Sequence, residues 1–292
     1  MLGGRKYHLT CTKVIWSTPS RNPFLIANRQ FFMSYLGVDI GGTNVDFVLC
    51  MQNSGDGYEF EHIASFKTQD VIGDVSNLIE SLAEENDVEG VGVGVACWIK
   101  EGVMYRAPNL PKIPELRREW VIENDANCFA FYSSKVFGYR DLLALTVGTG
   151  IGTGVIVNGE IYRGKGLAGE LGHAYVGGDR MCVCGRRGHL ETHFSGWVIK
   201  KERGRELEEE EIYKLSGFDV FCRTIAISVM VMDFPAVVVG GRIGSKLDEN
   251  VIKSRTEKYL MQEFIPEFKV LRDEFAVAKG SALLAKHIAD LR

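Results

Sequence analysis

Two glycine-loaded turns, each set between strand-like segments, constrain this chain more than any other feature. The first is Asp39-Ile-Gly-Gly-Thr-Asn44, where Tyr35–Ile40 and Val45–Met51 read as two short strands. The second is Thr146-Val-Gly-Thr-Gly-Ile-Gly-Thr-Gly154, in a hairpin read over 142–154 and 155–162. The second run contains neither G-x-G-x-x-G nor the Walker pattern, and Val155-Ile-Val after it reads as a strand. Dinucleotide-binding and P-loop glycines instead open a helix. A glycine turn between strands presents backbone N–H groups with no Cβ in the way, and can wrap a phosphate. Asp39, at the end of the first strand, can hold the waters of Mg²⁺, while Thr43 and Asn44 add side-chain donors beside Gly41 and Gly42. The plain alternative for this turn is a hairpin with an aspartate cap. Gly148, Thr149 and Gly150 form the second clamp, facing the first. A late pair, Gly240-Gly241, would let a flat adenine lie against backbone.

The rest of the chain alternates strands and helices, which predicts an α/β class. Tyr58–Lys67 reads as a third strand, Asp70–Glu85 as an amphipathic helix, and the apolar run Val91–Ile99 as a buried strand. Pro108, Pro111 and Pro114 are three of only seven prolines, which places a domain boundary near them. Beyond them, Asn124 or Asp125 stands near the N-cap of an apolar helix. Glu202–Lys214 reads as an acidic helix with a solvated face, and Phe218–Met232 as an apolar helix feeding the strand before Gly240. A last amphipathic helix runs from about Gly280 to Leu291. No sequence repeat at solenoid periods is visible.

Charge and cysteine usage narrow the function classes. The net charge of −4 argues against a general nucleic-acid binder. The charge is uneven: residues 1–33 carry Arg5, Lys6, Lys13, Arg21 and Arg29 and no acid, leaving a net of −9 in the other 259 residues. The best apolar run, Ile225–Met232, is eight residues and far short of a membrane span, so no membrane association is expected. Seven cysteines, mostly in apolar stretches, suit a reducing cytoplasm.

Taken in order, these turns resemble those of the sugar-kinase, Hsp70 and actin superfamily, and within it the ROK family of repressors, open reading frames and kinases. The resemblance runs from about Tyr35 to the C-terminus. It rests on Asp39–Asn44, Ala107-Pro-Asn-Leu-Pro111, Glu123-Asn-Asp-Ala-Asn127, Leu145–Gly154, Gly166-Leu-Ala-Gly-Glu-Leu-Gly-His173 and Cys182–Glu191. It implies a two-lobed, actin-like (ribonuclease H-like) ATPase fold with ATP and sugar in the cleft. A small lobe is expected over 34–121 plus 279–292 and a large lobe over 122–278. It also implies that Asn124 and Asp125 bind the O4 and O6 side of a hexose, and that Glu170, His173 and Glu191 bind its O1–O3 side, with Asn109 contributing. Asp125 is then the general base, taking the 6-hydroxyl proton as that oxygen attacks the γ-phosphate. The bland alternative for Asn124-Asp125, a helix N-cap, is compatible with this role.

Three of the six histidines and two of the seven cysteines fall between 173 and 193, in the pattern His173-x8-Cys182-x-Cys184-Gly-Arg-Arg-Gly-His189-Leu-Glu191 followed by His193. Structural zinc takes four N or S ligands, and Cys₂His₂ is a standard set. ROK proteins usually carry a third cysteine where this chain has His189, and His193 competes for the fourth position. The alternative is two buried thiols with surface histidines. If metal binds, one ring nitrogen of His173 faces it and the other faces the sugar, and the zinc holds the loop of Glu191.

The expected reaction is ATP-dependent phosphorylation of a hexose, glucose first, with N-acetylmannosamine, N-acetylglucosamine and fructose as alternatives. A sugar-responsive ROK repressor is the rival class. Those repressors carry an N-terminal winged helix-turn-helix, and no two-helix pattern precedes Ser34. Two departures touch the sugar side: Val95-Ala-Cys-Trp98 stands where family kinases often have Gly-x-Pro-Gly, and only ten residues separate Leu110 from Val121. The family resemblance implies a homo-oligomer, a dimer or tetramer. The acid-free segment 1–33 is read as an N-terminal extension outside the fold, its residues 1–32 coming from an upstream start codon, with a transit peptide as the rival. A chain beginning at Met33 is expected to be fully active.

Overall fold

The computed structural model describes residues 33–53, 57–205 and 207–292. The extension expected at 1–33 falls, apart from Met33, outside the described residues, as do 54–56 of the turn before the third strand. No helix among the described residues is long and apolar enough to cross a membrane.

Two five-stranded sheets carry the fold, and both have the same strand order and directions. In the first, β1 (Ser34–Ile40) lies between antiparallel β2 (Asn44–Gln52) and parallel β4 (Gly90–Val95). β3 (Tyr58–Lys67) and β7 (Val121–Asn124) complete the order β3-β2-β1-β4-β7. In the second, β8 (Leu142–Val147) lies between antiparallel β9 (Ile151–Val157) and parallel β11 (Ala236–Gly240). β10 (Glu160–Ile161) and β12 (Glu267–Val270) form its edges. The architecture thus repeats although the sequence does not. A separate hairpin, β5 (Trp98–Lys100) with β6 (Val103–Arg106), follows β4.

The central strands read as continuous apolar runs because both their faces are covered. In β1, Leu36, Val38 and Ile40 join the core of α2 (Val75–Glu85), while Gly37 faces α9 (Ala276–Asp290). In β8, Leu143, Leu145 and Val147 pack with Phe218, Phe221 and Ile225 of α6 (Ser216–Met232). Leu142 and Ala144 point the other way, into a middle core shared by α3 (Asp125–Phe137) and α9. Burying one such leucine or phenylalanine stabilises by about 1.5–3 kcal/mol. Glycines set the spacing of this middle layer. A Cβ on Gly37 would lie 1.9 Å from the Ala278 carbonyl, one on Gly154 2.5 Å from that of Ala126, and one on Gly280 2.0 Å from that of Cys128.

Four element boundaries differ from the sequence expectation. The helix expected at 70–85 is two, α1 (Thr68–Val71) and α2, separated by a turn at Gly73. The strand expected at 91–99 stops at Val95, where the Cys97 N–H turns back to the Val95 carbonyl at 2.7 Å. The acidic helix expected at 202–214 is α4 (Gly196–Arg203) and α5 (Glu209–Ile212). Gly204 ends α4 in the left-handed region at φ 70°, and Glu208 with Glu211 forms a capping box that starts α5. The last helix begins at Ala276, before Gly280, because that glycine is a packing residue and not a helix start. The proline cluster lies in the irregular stretch between β6 and β7, and the chain stays with the first sheet as far as Asn124.

Candidate active site

The site is built where β7 hands over to α3. Asn124 is the N-cap: its Oδ1 accepts from the Ala126 and Asn127 N–H groups at 2.9 and 3.2 Å, and its Nδ2 donates to the Cys97 carbonyl at 3.1 Å. Asp125 becomes the first helical residue, its Oδ1 accepting from the Ala126 N–H at 2.9 Å. Below it Glu123 is buried, and accepts from Arg163 Nε at 2.6 Å, Asn127 Nδ2 at 2.9 Å and the Asn124 N–H at 2.9 Å. A buried carboxylate is costly unless paired and fully hydrogen-bonded, and these three donors satisfy it. The network holds the Asn124-Asp125 corner still. Its one sequence signal is an acid inside the otherwise apolar lead-in Val121-Ile-Glu123.

A cleft of about 280 Å³ gathers most of the expected residues. Gly42, Thr43 and Asn109 line one part, Asn124 and Asp125 another, and Gly148, Thr149 and Gly150 a third. Glu170, His173 and Glu191 complete it. Asn109 is placed by direct packing, since a Cβ on Gly42 would lie 2.9 Å from its carbonyl oxygen. The four alternate glycines after Val147 divide by role. Gly148 and Gly150 form the turn, whereas Gly152 and Gly154 let α3 lie directly on β9, where a Cβ would meet Ala126 and Ala130.

Asp39, Gly41, Asn44, Gly240 and Gly241 do not line this cleft. Asp39 is close enough for its charge and that of Asp125 to be felt between them. Asn44 lines a second cavity of about 690 Å³, which shares Thr43 and Thr149 with the first and is walled by Trp197, Arg242 and Lys246. Gly240 packs on Phe129 and Gly241, at φ 79°, on Val147. The residues after the pair, Arg242 and Ile243, are those that reach the second cavity.

Electrostatically the cleft is short of positive charge. Burial pushes Asp125 up to about 6 against the pull of nearby backbone N–H groups. Burial, with the charge of Asp125 next, pushes Glu170 up to about 7. Asp39 is held well above the usual carboxylate range by burial and then by the charges of Asp125 and Asp46. Such a group of acids favours a bound cation and hydroxyl donors.

Beside the cleft, ligand atoms of His173, Cys182, Cys184 and His189 all lie within 4.8 Å of one another. Nδ1 of His173 is 3.3 Å from Cys182 Sγ, and Nδ1 of His189 is 3.3 Å from Cys184 Sγ. The other ring nitrogen of His173, Nε2, lies 3.9 Å from the Glu170 carboxylate. His193 is engaged elsewhere, its Nε2 2.7 Å from the Gly177 carbonyl. Two thiols and two imidazoles so grouped are the donor set of a tetrahedral zinc site.

The ROK family model matches residues 35–288 of the chain. The chain is 28% identical to a glucokinase of Thermotoga maritima, over 87% of its own length and 98% of that enzyme. It is 29% identical to an N-acetyl-D-glucosamine kinase of Pasteurella multocida, over 80% of its length and 92% of that enzyme. Among solved structures, a ROK hexokinase from Thermus thermophilus superposes with a TM-score of 0.72 at 23% identity, covering 89% of this chain and 100% of that one. The paired sheets are thus the expected actin-like ATPase fold, and the chain belongs to the ROK family.

Proposed function

We propose that this sugar kinase transfers the γ-phosphoryl group of ATP to the 6-hydroxyl of a hexose, with glucose the preferred acceptor. The observation that carries the reading is the position of Asp125, fixed by the Asn124 cap in one cleft with both glycine turns and with Glu170, His173 and Glu191. The glucokinase and N-acetylglucosamine kinase relatives support a hexose or hexosamine as acceptor.

In this reading Asn124 and Asp125 hold the O4 and O6 side of the sugar, and Glu170, His173 and Glu191 its O1–O3 edge. The 6-hydroxyl proton passes to the Asp125 carboxylate as O6 bonds to the γ-phosphorus. The bond from that phosphorus to the β,γ-bridging oxygen breaks, and ADP leaves. Phosphoryl transfer asks the protein mainly for position and charge stabilisation, which the turns 41–44 and 148–150 supply through backbone and hydroxyl donors. Asp39, in its cluster of acids, suits the waters of a magnesium ion, which neutralises charge on the phosphates when bound. The Cys₂His₂ group would hold zinc as a structural ion that fixes His173 and the loop of Glu191.

The test is Asp125→Ala. Turnover is expected to fall by at least about 10³-fold, with the folded state and ATP affinity by calorimetry close to wild type. A near-normal kcat would refute the assignment.

A further inference from the structure

Trp98 stands in the stretch where the chain departs from the Gly-x-Pro-Gly of many family kinases. It opens β5 and lines the cleft, and its indole is braced by two neighbours. It sits edge-on to His173, with ring centroids 5.2 Å apart and planes at 85°. Its indole is near enough to the Glu170 carboxylate to oppose the rise that burial gives that acid. The Arg106 guanidinium lies over the ring, 5.4 Å from its centroid. Arg106 in turn donates to the carbonyls of Cys184 at 3.1 Å and Val183 at 3.4 Å. The β5–β6 hairpin, the indole and the Cys/His loop therefore form one braced wall.

We propose that Trp98 is a specificity-determining residue that fills the space a C2 substituent would need, so that the acceptor is a hexose with a free 2-hydroxyl and not a 2-acetamido sugar. This rests on the kinase reading, in which Glu170 and His173 hold the O1–O3 edge. To admit the acetamide the ring must leave His173 and Arg106. The cavity, at about 280 Å³, is already at the small end for a ligand site.

The experiment measures glucose, mannose, N-acetylglucosamine and N-acetylmannosamine side by side on the full chain. kcat/KM is read by ADP release, and affinity by calorimetry with no nucleotide present. Wild type is expected to favour the unsubstituted sugars by about 10²-fold in both readouts. Trp98→Gly should lower that preference at least about tenfold, by gaining the acetamido sugars as well as losing glucose. Trp98→Phe, which keeps an aromatic wall, should retain the preference. Equal use or binding of the acetamido sugars by wild type, or an unchanged ratio in Trp98→Gly, would overturn the proposal. If no sugar is phosphorylated, the kinase reading fails, and the calorimetric ratio still decides whether Trp98 selects.

Discussion

The β1–β2 turn and the β8–β9 turn hold corresponding places in two sheets of the same order, and comparing them shows what each contributes. Both are locked from behind by the start of a helix. Thr68, opening α1, donates its N–H to the Thr43 carbonyl at 3.0 Å and its hydroxyl to that of Gly41 at 2.6 Å. Gly196 and Trp197, opening α4, donate to the carbonyls of Gly148 at 2.8 Å and Thr149 at 3.1 Å. The difference lies one residue before each strand end, where β1 has Asp39 and β8 has Thr146. A carboxylate on both hairpins would set two like charges against a triphosphate. With one, the first hairpin can serve the cation and the second the phosphates alone. The turns also differ in room: Gly42 is hemmed in by Asn109 backbone, while a Cβ on Gly148 would meet nothing within 4 Å.

The largest effect that could break this comparison is at the paired strand ends. Asp39→Asn is expected to lower kcat/KM by about 10²–10³-fold and to raise the Mg²⁺ concentration needed for half-maximal rate. Thr146→Ala should cost less than about tenfold. Equal losses would mean that the hairpins share one role. Next is the room at the turns. Gly42→Ala should lower thermal stability as well as raise the KM for ATP about tenfold, because the Asn109 backbone must shift, whereas Gly148→Ala, whose Cβ meets no protein atom, should melt like wild type and raise only the KM for ATP. The smallest effect is with pH. Asp125 is pushed up to about 6 and Glu170 to about 7, and the base must be ionised to accept a proton. kcat/KM should therefore rise with pH across that interval and fall about tenfold from pH 7 to pH 5. A flat profile would show that neither carboxyl titrates in the free enzyme.

Much of this molecule is legible in its sequence, for identifiable reasons. β1, β2 and β3 were readable because apolar runs bounded by turn residues set their limits. The N-cap at Asn124 is readable because Asn before an apolar helical run supplies the cap oxygen. The grouping of His173, Cys182, Cys184 and His189 follows from short spacings along one loop. What stayed hidden depends on partners far along the chain. Arg163 meets Glu123 across 40 positions, and Gly280 meets Cys128 across the middle layer. A glycine for a turn and a glycine for close packing are the same letter, so the packing of Gly152 and Gly154 against α3 is not written in the sequence. Gly240 and Gly241, expected beneath an adenine, pack on Phe129 and Val147, and their successors Arg242 and Ile243 line the second cavity.

The central claim is that the Asp125 corner directs phosphoryl transfer to the 6-hydroxyl of a hexose. It is tested most directly by incubating the protein with ATP, Mg²⁺ and glucose labelled with ¹³C, and reading the product by ³¹P–¹³C coupled NMR. The account predicts a single phosphate ester, coupled to C6, with one ADP formed per ester. Phosphate on C1 or C3, or ADP released with no sugar ester, would contradict it.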